Sequence, residues 1–187
     1  VTNYNTAIEL KPDYAAAYNS LGLTLKILDR LKEAEKSYNT AIELKPDYAE
    51  AYYNLGSLIF SFGKVKESEK SYNTAIELKP NYAKAHNNLG VTLFSLNKLK
   101  ESEVSYKKAI ELKPDYAEAY NNIGVLMQKL ARPNDALASY KKAIELKPDY
   151  FQAYNNLGFL QQKLNKQDEA VLTFGKAQKL VKDNEKK

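Results

Sequence analysis

Ser37-Tyr-Asn-Thr-Ala-Ile-Glu-Leu-Lys-Pro-Asp-Tyr48 recurs along this chain with only small changes. Tyr4 to Tyr14 and Ser71 to Tyr82 repeat it almost letter for letter, and Tyr106 to Tyr116 and Tyr140 to Tyr150 carry Lys-Lys in place of Asn-Thr. Pro12, Pro46, Pro80, Pro114 and Pro148 stand 34 residues apart. A fixed period of this length marks a stack of like supersecondary elements, each burying its apolar face mainly against its neighbours. The chain is therefore read as half a repeat at 1–14, five full repeats at 15–48, 49–82, 83–116, 117–150 and 151–184, and a tail at 185–187.

Within a repeat the sequence predicts helix, short turn, helix, turn. In the second repeat the first helix is expected from about Tyr48 to Phe62, stopped by Gly63, which suits the left-handed conformation that ends a helix. Asp29, Asn97 and Asn165 hold the same place and tolerate that conformation. Ala131 suits it less, and Pro133 is expected to fix that turn instead. Between repeats the proline cannot continue the preceding helix. Asp47 is expected to cap the next one, with Glu50 completing a capping box; Asp115 with Glu118 and Asp149 with Gln152 repeat the arrangement.

Composition narrows the function. A net charge of +5 and a pI of about 9.0 raise a nucleic-acid reading. Lys32-Glu33, Lys66-Glu67 and Lys100-Glu101 instead alternate in sign, as on a solvated face, so no nucleic-acid partner is expected. With no cysteine and one histidine, disulfides and nitrogen- or sulfur-rich metal sites cannot be assembled. The carboxylates lie scattered beside lysines with no converged acid–base pair, and no Gly-rich phosphate loop occurs. No catalytic residue, cofactor or metal is assigned, and the chain is expected not to be an enzyme. No run approaches the ~20 apolar residues of a membrane span, and no signal peptide is visible. No membrane partner is expected, and the expected location is intracellular, cytoplasmic or nuclear.

Tyr18-x2-Leu21-Gly22-x2-Leu25, followed by Ala34-x3-Tyr38 and Pro46, resembles the tetratricopeptide-repeat pattern. The second repeat supplies Tyr52, Leu55, Gly56, Ile59, Ser68, Tyr72 and Pro80, and the resemblance covers residues 1–184. It implies an all-α fold, an α-solenoid of helix-turn-helix repeats forming a right-handed superhelix whose first helices line a concave groove. In the second repeat Tyr52, Leu55, Gly56 and Ile59 cluster on the side facing the second helix, at about 100° per residue. The glycines at 22, 56, 90, 124 and 158 then read as close-packing positions. An all-alanine column, Ala17, Ala51, Ala85, Ala119 and Ala153, should pack on the neighbouring repeat with Leu28, Phe62, Leu96, Leu130 and Leu164 nearby. Glu50, Tyr53, Ser57 and Phe60 are left for the groove, with Asn54 at its edge.

The groove carries the candidate peptide-binding residues. Fourteen of fifteen tyrosines fall in three periodic columns and read as packing; Tyr53 is the exception, and it lies on the groove. Asn54, Asn88, Asn122 and Asn156 recur every 34 residues beside Asn19, Asn87, Asn121 and Asn155. A row of amides can pair with the backbone of an extended peptide, or can bond neighbouring helices and space the repeats. The ladder resembles that of the O-linked N-acetylglucosamine transferases. Phe60 and Phe94 add an apolar strip, whereas Gln128, Lys129, Gln162 and Lys163 make the later part polar and basic. Apolar partner side chains are expected over Tyr53, Phe60 and Phe94, and acidic or polar ones near Lys129 and Lys163.

The carboxylate clamp implied by co-chaperones of this family is matched only at Asn54 and Lys84; Asn19, Leu23 and Asn88 stand where other residues are wanted. His86 replaces a tyrosine of a packing column and is expected to be a packed or hydrogen-bonded side chain. The leading reading is an interaction module that binds an extended peptide or partner helix, as a scaffold or adaptor. The alternatives are the substrate-recognition part of a larger glycosyltransferase and a self-assembling array. The last rests on Tyr4, Ala7 and Ile8 at one end and Val171, Leu172, Phe174, Leu180 and Val181 at the other. These are expected to lack covering helices, so that the chain is a fragment of a longer protein or its ends meet other copies.

Overall fold

The computed structural model describes residues 2–184, and the tail at 185–187 lies outside them. The described residues form eleven α-helices and no strand, so the all-α class and the solenoid of helix pairs hold. The chain divides into two compact halves, residues 1–98 and 99–187. The first holds α1 (Thr2–Leu10), α2 (Ala15–Ile27), α3 (Leu31–Leu44), α4 (Ala49–Ser61), α5 (Val65–Leu78) and α6 (Ala83–Ser95). The second holds α7 (Leu99–Leu112), α8 (Ala117–Lys129), α9 (Pro133–Leu146), α10 (Phe151–Lys163) and α11 (Gln167–Asn184).

In the first half α2 pairs with α3 and α4 with α5, while α2, α4 and α6 lie side by side. Leu21, Leu25, Ala34, Tyr38, Leu55, Leu58 and Ile59 form one buried cluster, joined at its edge by Ile8, Leu31, Ile42 and Phe62. Tyr72, Leu89 and Leu93 form a second, with Tyr53 and Ile76 against it. In the second half α8 pairs with α9 and α10 with α11, over buried Ile123, Leu126, Met127, Tyr140, Leu157 and Leu160. The alanine column is buried throughout, but Leu28, expected near it, stands 54% exposed.

At three places in the glycine column the missing side chain is a steric requirement. A Cβ on Gly22 would lie 2.7 Å from the Tyr38 ring, one on Gly124 2.6 Å from Tyr140, and one on Gly158 2.7 Å from Phe174. The backbone of the first helix therefore rests directly on the aromatic ring of the second.

The turns within helix pairs follow one geometry. Asp29 (φ 58°), Gly63 (75°), Asn97 (59°) and Asn165 (60°) all adopt the left-handed region, and so does Ala131 (55°). The next N–H reaches the carbonyl five residues back in each case: Arg30 to Leu25, Lys98 to Leu93, Arg132 to Met127 and Lys166 to Gln161, all at 2.9 Å, and Lys64 to Ile59 at 3.3 Å. This satisfies an orphan carbonyl at the helix end. The expectation that Pro133 replaces this turn is corrected. Ala131 takes the strained conformation, and Pro133 opens α9 as its first residue, where its missing N–H is harmless.

The capping boxes are also corrected. The N-caps of α4, α8 and α10 are Tyr48, Tyr116 and Tyr150, and none makes a side-chain cap bond. The aspartate sits one residue too early and acts through its backbone: the Asp47 carbonyl accepts the Ala49 N–H at 3.1 Å, and the Tyr48 N–H reaches Lys45 O at 3.1 Å. The lysine ammonium then lies over the tyrosine ring, 5.3 Å for Lys45 on Tyr48 and 4.8 Å for Lys113 on Tyr116. That contact covers the ring face from outside.

Candidate functional site

The face formed by α2, α4 and α6 carries most of the candidate residues of the first half. Its register is fixed by Lys26 Nζ, which donates to Ser57 Oγ at 2.9 Å, so the end of α2 lies beside the middle of α4. Leu23 and Ile27, one turn apart on α2, are 47% and 78% exposed. Phe60 and Phe94 are half-buried and Lys84 is exposed. Tyr53 is half-buried, with ring centroids 5.9 Å from Tyr72 and 5.0 Å from Tyr82.

The asparagines bridge neighbouring first helices. Asn54 Nδ2 donates to Asn19 Oδ1 at 2.9 Å, and Asn156 Nδ2 donates to Asn121 Oδ1 at 2.8 Å. Both pairs are 35 residues apart. Asn88 keeps the same step, but its acceptor is the Tyr53 hydroxyl at 3.3 Å, because Tyr53 occupies the place that Asn19 and Asn121 hold. Asn19, Asn87 and Asn121 are buried. Asn19 also donates to the Tyr48 hydroxyl at 3.4 Å, and Asn87 donates to Asn88 Oδ1 at 3.2 Å. Asn54, Asn88, Asn122, Asn155 and Asn156 are half-buried. An amide offers two N–H groups and an acceptor oxygen, and Asn54 and Asn156 each use one N–H in the bridge.

A polar chain ties this face together beneath its surface. Asn88 Nδ2 also reaches the Tyr72 hydroxyl at 3.4 Å, and that hydroxyl is held by Ser57 in turn. Lys26, Ser57, Tyr72, Asn88 and Tyr53 thus connect α2, α4, α5 and α6. Burial pushes the Tyr72 phenol up to about 12, against the opposing hydrogen bond from Asn88. Burial also raises the Tyr53 phenol, with the Asn88 bond acting the other way. Half-burial pulls the Lys26 ammonium below the ordinary lysine value. Charged forms are disfavoured wherever a group leaves water without a counter-charge.

The second half places Lys129 and Lys163 exposed at the ends of α8 and α10. Gln128 turns inward and accepts the Tyr140 hydroxyl at 2.6 Å. Asn155 lines a cavity of about 600 Å³ with Phe151, Phe174, Gln178, Val181 and Lys182. Val171 and Leu172 on α11 are exposed.

His86 is half-buried, and its Nε2 lies 3.0 Å from the Pro80 carbonyl. A carbonyl can only accept, so this nitrogen carries the proton. No cluster of three His, Cys, Asp or Glu among the described residues could hold a metal, and no described helix is long and apolar enough to cross a membrane. Sequence reasoning missed Lys26 and Ile27, and read Leu23 only as a departure from the clamp. The signal was present: Lys26 stands where Phe60, Phe94, Gln128 and Gln162 stand in later repeats.

Comparison with known proteins agrees with this architecture. A family model described as "TPR repeat" matches residues 1–28, 24–63, 56–97, 92–130 and 133–165, and two described as "Tetratricopeptide repeat" match 117–147 and 151–184. No curated protein matches the chain. The solved structure of MamA is similar at 24% identity, covering 89% of this chain and 97% of that one, with a TM-score of 0.77. YrrB, described as a TPR protein with an unusual peptide-binding site, is 23% identical over 96% of this chain and 93% of its own, with a TM-score of 0.73. PilF of Pseudomonas aeruginosa reaches a TM-score of 0.82 at 20% identity, covering 88% of this chain and 75% of that one.

Proposed function

This chain belongs to the tetratricopeptide-repeat family, and from that premise we propose that it is a protein-interaction scaffold holding an extended peptide along α2, α4 and α6. The observation that carries the reading is the exposure of Leu23 and Ile27 beside half-buried Tyr53, Phe60 and Phe94. Apolar side chains gathered on one face of stacked helices mark a surface that gains by being covered. Tyr53, Phe60 and Phe94 take the peptide's apolar side chains, and the second N–H of Asn54 meets its backbone, with Lys84 at the margin. Asn88, whose N–H groups go to Tyr53 and Tyr72, can offer the peptide only the remaining lone pair of its Oδ1. In the second half Asn122, Lys129, Asn155, Asn156 and Lys163 offer a polar, basic counterpart, and buried Asn121 serves by accepting from Asn156 of the next first helix. Asn87 of the first half is buried and bonds Asn88 on its own helix. The surface is pre-formed, so most of the ordering cost falls on the peptide. YrrB, with its described peptide-binding site, lends the reading support through its fold alone.

The test is a screen of synthetic peptides against the wild-type chain and against Leu23→Ser/Ile27→Ser. Both residues are exposed, so the variant should fold normally. Peptides rich in leucine or phenylalanine should bind the wild type and lose at least about tenfold on the variant, since each exposed apolar group covered is worth about 1 kcal/mol. Equal binding to both proteins would show that this face is not the site.

A further inference from the structure

The groups of the first-helix face are mostly paired, but Lys26 has a hydrogen-bond partner without a counter-charge. The ammonium is half-buried, and its partner is the neutral Ser57 hydroxyl at 2.9 Å. No described carboxylate forms an ion pair with it. Other cations of this chain close on acids: Arg30 on Glu33 at 2.7 Å, Lys98 on Glu69 at 2.7 Å, Arg132 on Asp135 at 2.6 Å. The hydroxyl of Tyr38 is a second donor without a partner, on a side chain that is fully buried. The equivalent hydroxyl of Tyr140 is satisfied by Gln128, which has the place of Lys26 102 residues further on. Lysine can only donate, so it cannot do for Tyr38 what Gln128 does for Tyr140. The position thus holds a half-buried cation with a neutral partner and no counter-charge, Leu23 and Ile27 stand exposed beside it on the same helix, and an anionic acceptor is the group it lacks.

We propose that Lys26 recognises a glutamate or aspartate side chain of the bound peptide, while Leu23 and Ile27 receive apolar side chains on either side of that acid. This rests on the peptide-scaffold reading above and narrows it to peptides with an acid set among aliphatic or aromatic residues. The carboxylate supplies the counter-charge, and the apolar walls keep water from competing for it, which strengthens the contact. The site differs from the polar basic stretch expected around Lys129 and Lys163, because here the cation is partly withdrawn from solvent and its helix exposes Leu23 and Ile27 beside it.

The test uses N-acetylated, C-amidated nonapeptides with leucines around a central glutamate, beside glutamine and lysine counterparts, measured by fluorescence polarisation. The blocked ends leave the side chain as the sole carboxylate. On the wild type the glutamate peptide should bind about tenfold tighter than the glutamine peptide, and the gap should shrink with added salt. Lys26→Met, which keeps the apolar stem, should remove the gap; Lys26→Glu should transfer the preference to the lysine peptide. Binding of glutamate and glutamine peptides alike on the wild type, or an unchanged preference on Lys26→Met, would overturn the assignment while leaving peptide binding in place. If none of the peptides binds, both this inference and the scaffold reading fall.

Discussion

Replacing Asn54 by alanine separates the two roles open to the asparagine ladder. In the folded chain Asn54 Nδ2 donates to Asn19 Oδ1 at 2.9 Å, and Asn19 is only 4% exposed. Removing the donor leaves a buried carbonyl oxygen unpaired, a loss of about 1–3 kcal/mol. Alanine in mid-helix returns about 0.6 kcal/mol of propensity, so a net destabilisation of about 1 kcal/mol is expected. Asn73→Ala on the exposed face of α5 is the control and should be neutral or slightly stabilising. Urea unfolding of Asn19→Ala, Asn54→Ala and the double variant closes a cycle whose coupling should be about 1 kcal/mol, since each change alone breaks the same bond. Hydrogen exchange should place the loss in α2 and α4, because stacked repeats are stabilised by nearest-neighbour terms. A coupling below about 0.3 kcal/mol, together with peptide affinity lost on Asn54→Ala, would refute the bridging role and return the ladder to the ligand.

Three further outcomes follow from contacts elsewhere. Gly124→Ala should lose about 1–2 kcal/mol, because its Cβ would meet a Tyr140 ring at 2.6 Å that is pinned through Gln128; Gly56→Ala, with 3.1 Å to Tyr72, should be nearly neutral once helix propensity is counted, and thermal melts giving the reverse order would contradict the packing described. Tyr38→Phe removes an unpartnered buried hydroxyl and should leave stability unchanged or raise it by about 1 kcal/mol; a clear loss in urea unfolding would mean the hydroxyl has a partner. Burial pushes the Tyr38 and Tyr72 phenols up to about 12 and those of Tyr106 and Tyr140 higher still. The folded state therefore favours the neutral phenol, and that stabilisation is whole below the unfolded value of about 10 and lost as pH climbs from there through 12. Absorbance at 295 nm should show these phenolates appearing together with the loss of helical circular dichroism, and full ionisation near pH 10 with helices intact would count against it.

The fold was legible because one signal repeats. The 34-residue period, the glycine set against an aromatic two turns into the partner helix, and the residues at Asp29, Gly63, Asn97 and Asn165 all name the same helix pair. Where the reading failed, the failure was local. Asp47 with Glu50 has the letters of a capping box, yet the helix begins at Ala49, and a shift of one residue removes the side-chain bond. Ala131 carries no signal for a left-handed turn, but the partner helices on either side hold it there. The site was half legible. The asparagines were seen as a column, but which way an amide points depends on a neighbour 35 residues away, and sequence alone left both the ligand and the next helix open.

Periodicity itself sorts lattice from function in such a chain. A residue present in every repeat meets the same surroundings in every repeat, and those surroundings are the other repeats: the alanine column, the Gly–Tyr stacks and the Asn–Asn bridges answer to each other. A ligand is not periodic with 34 residues, so whatever distinguishes one stretch of the surface from the next must sit where a column is broken. Tyr53 breaks the asparagine column and is absorbed into the lattice, because its hydroxyl accepts from Asn88 as Asn19 Oδ1 accepts from Asn54. Lys26 stands in the column of Phe60, Phe94, Gln128 and Gln162 and is only partly absorbed: its ammonium donates to Ser57, but its charge meets no acid among the described residues, and its neighbours Leu23 and Ile27 face solvent. A broken column whose new side chain is fully answered by its neighbours is repair; one that brings a charge and finds only a neutral acceptor is where the chain addresses another molecule.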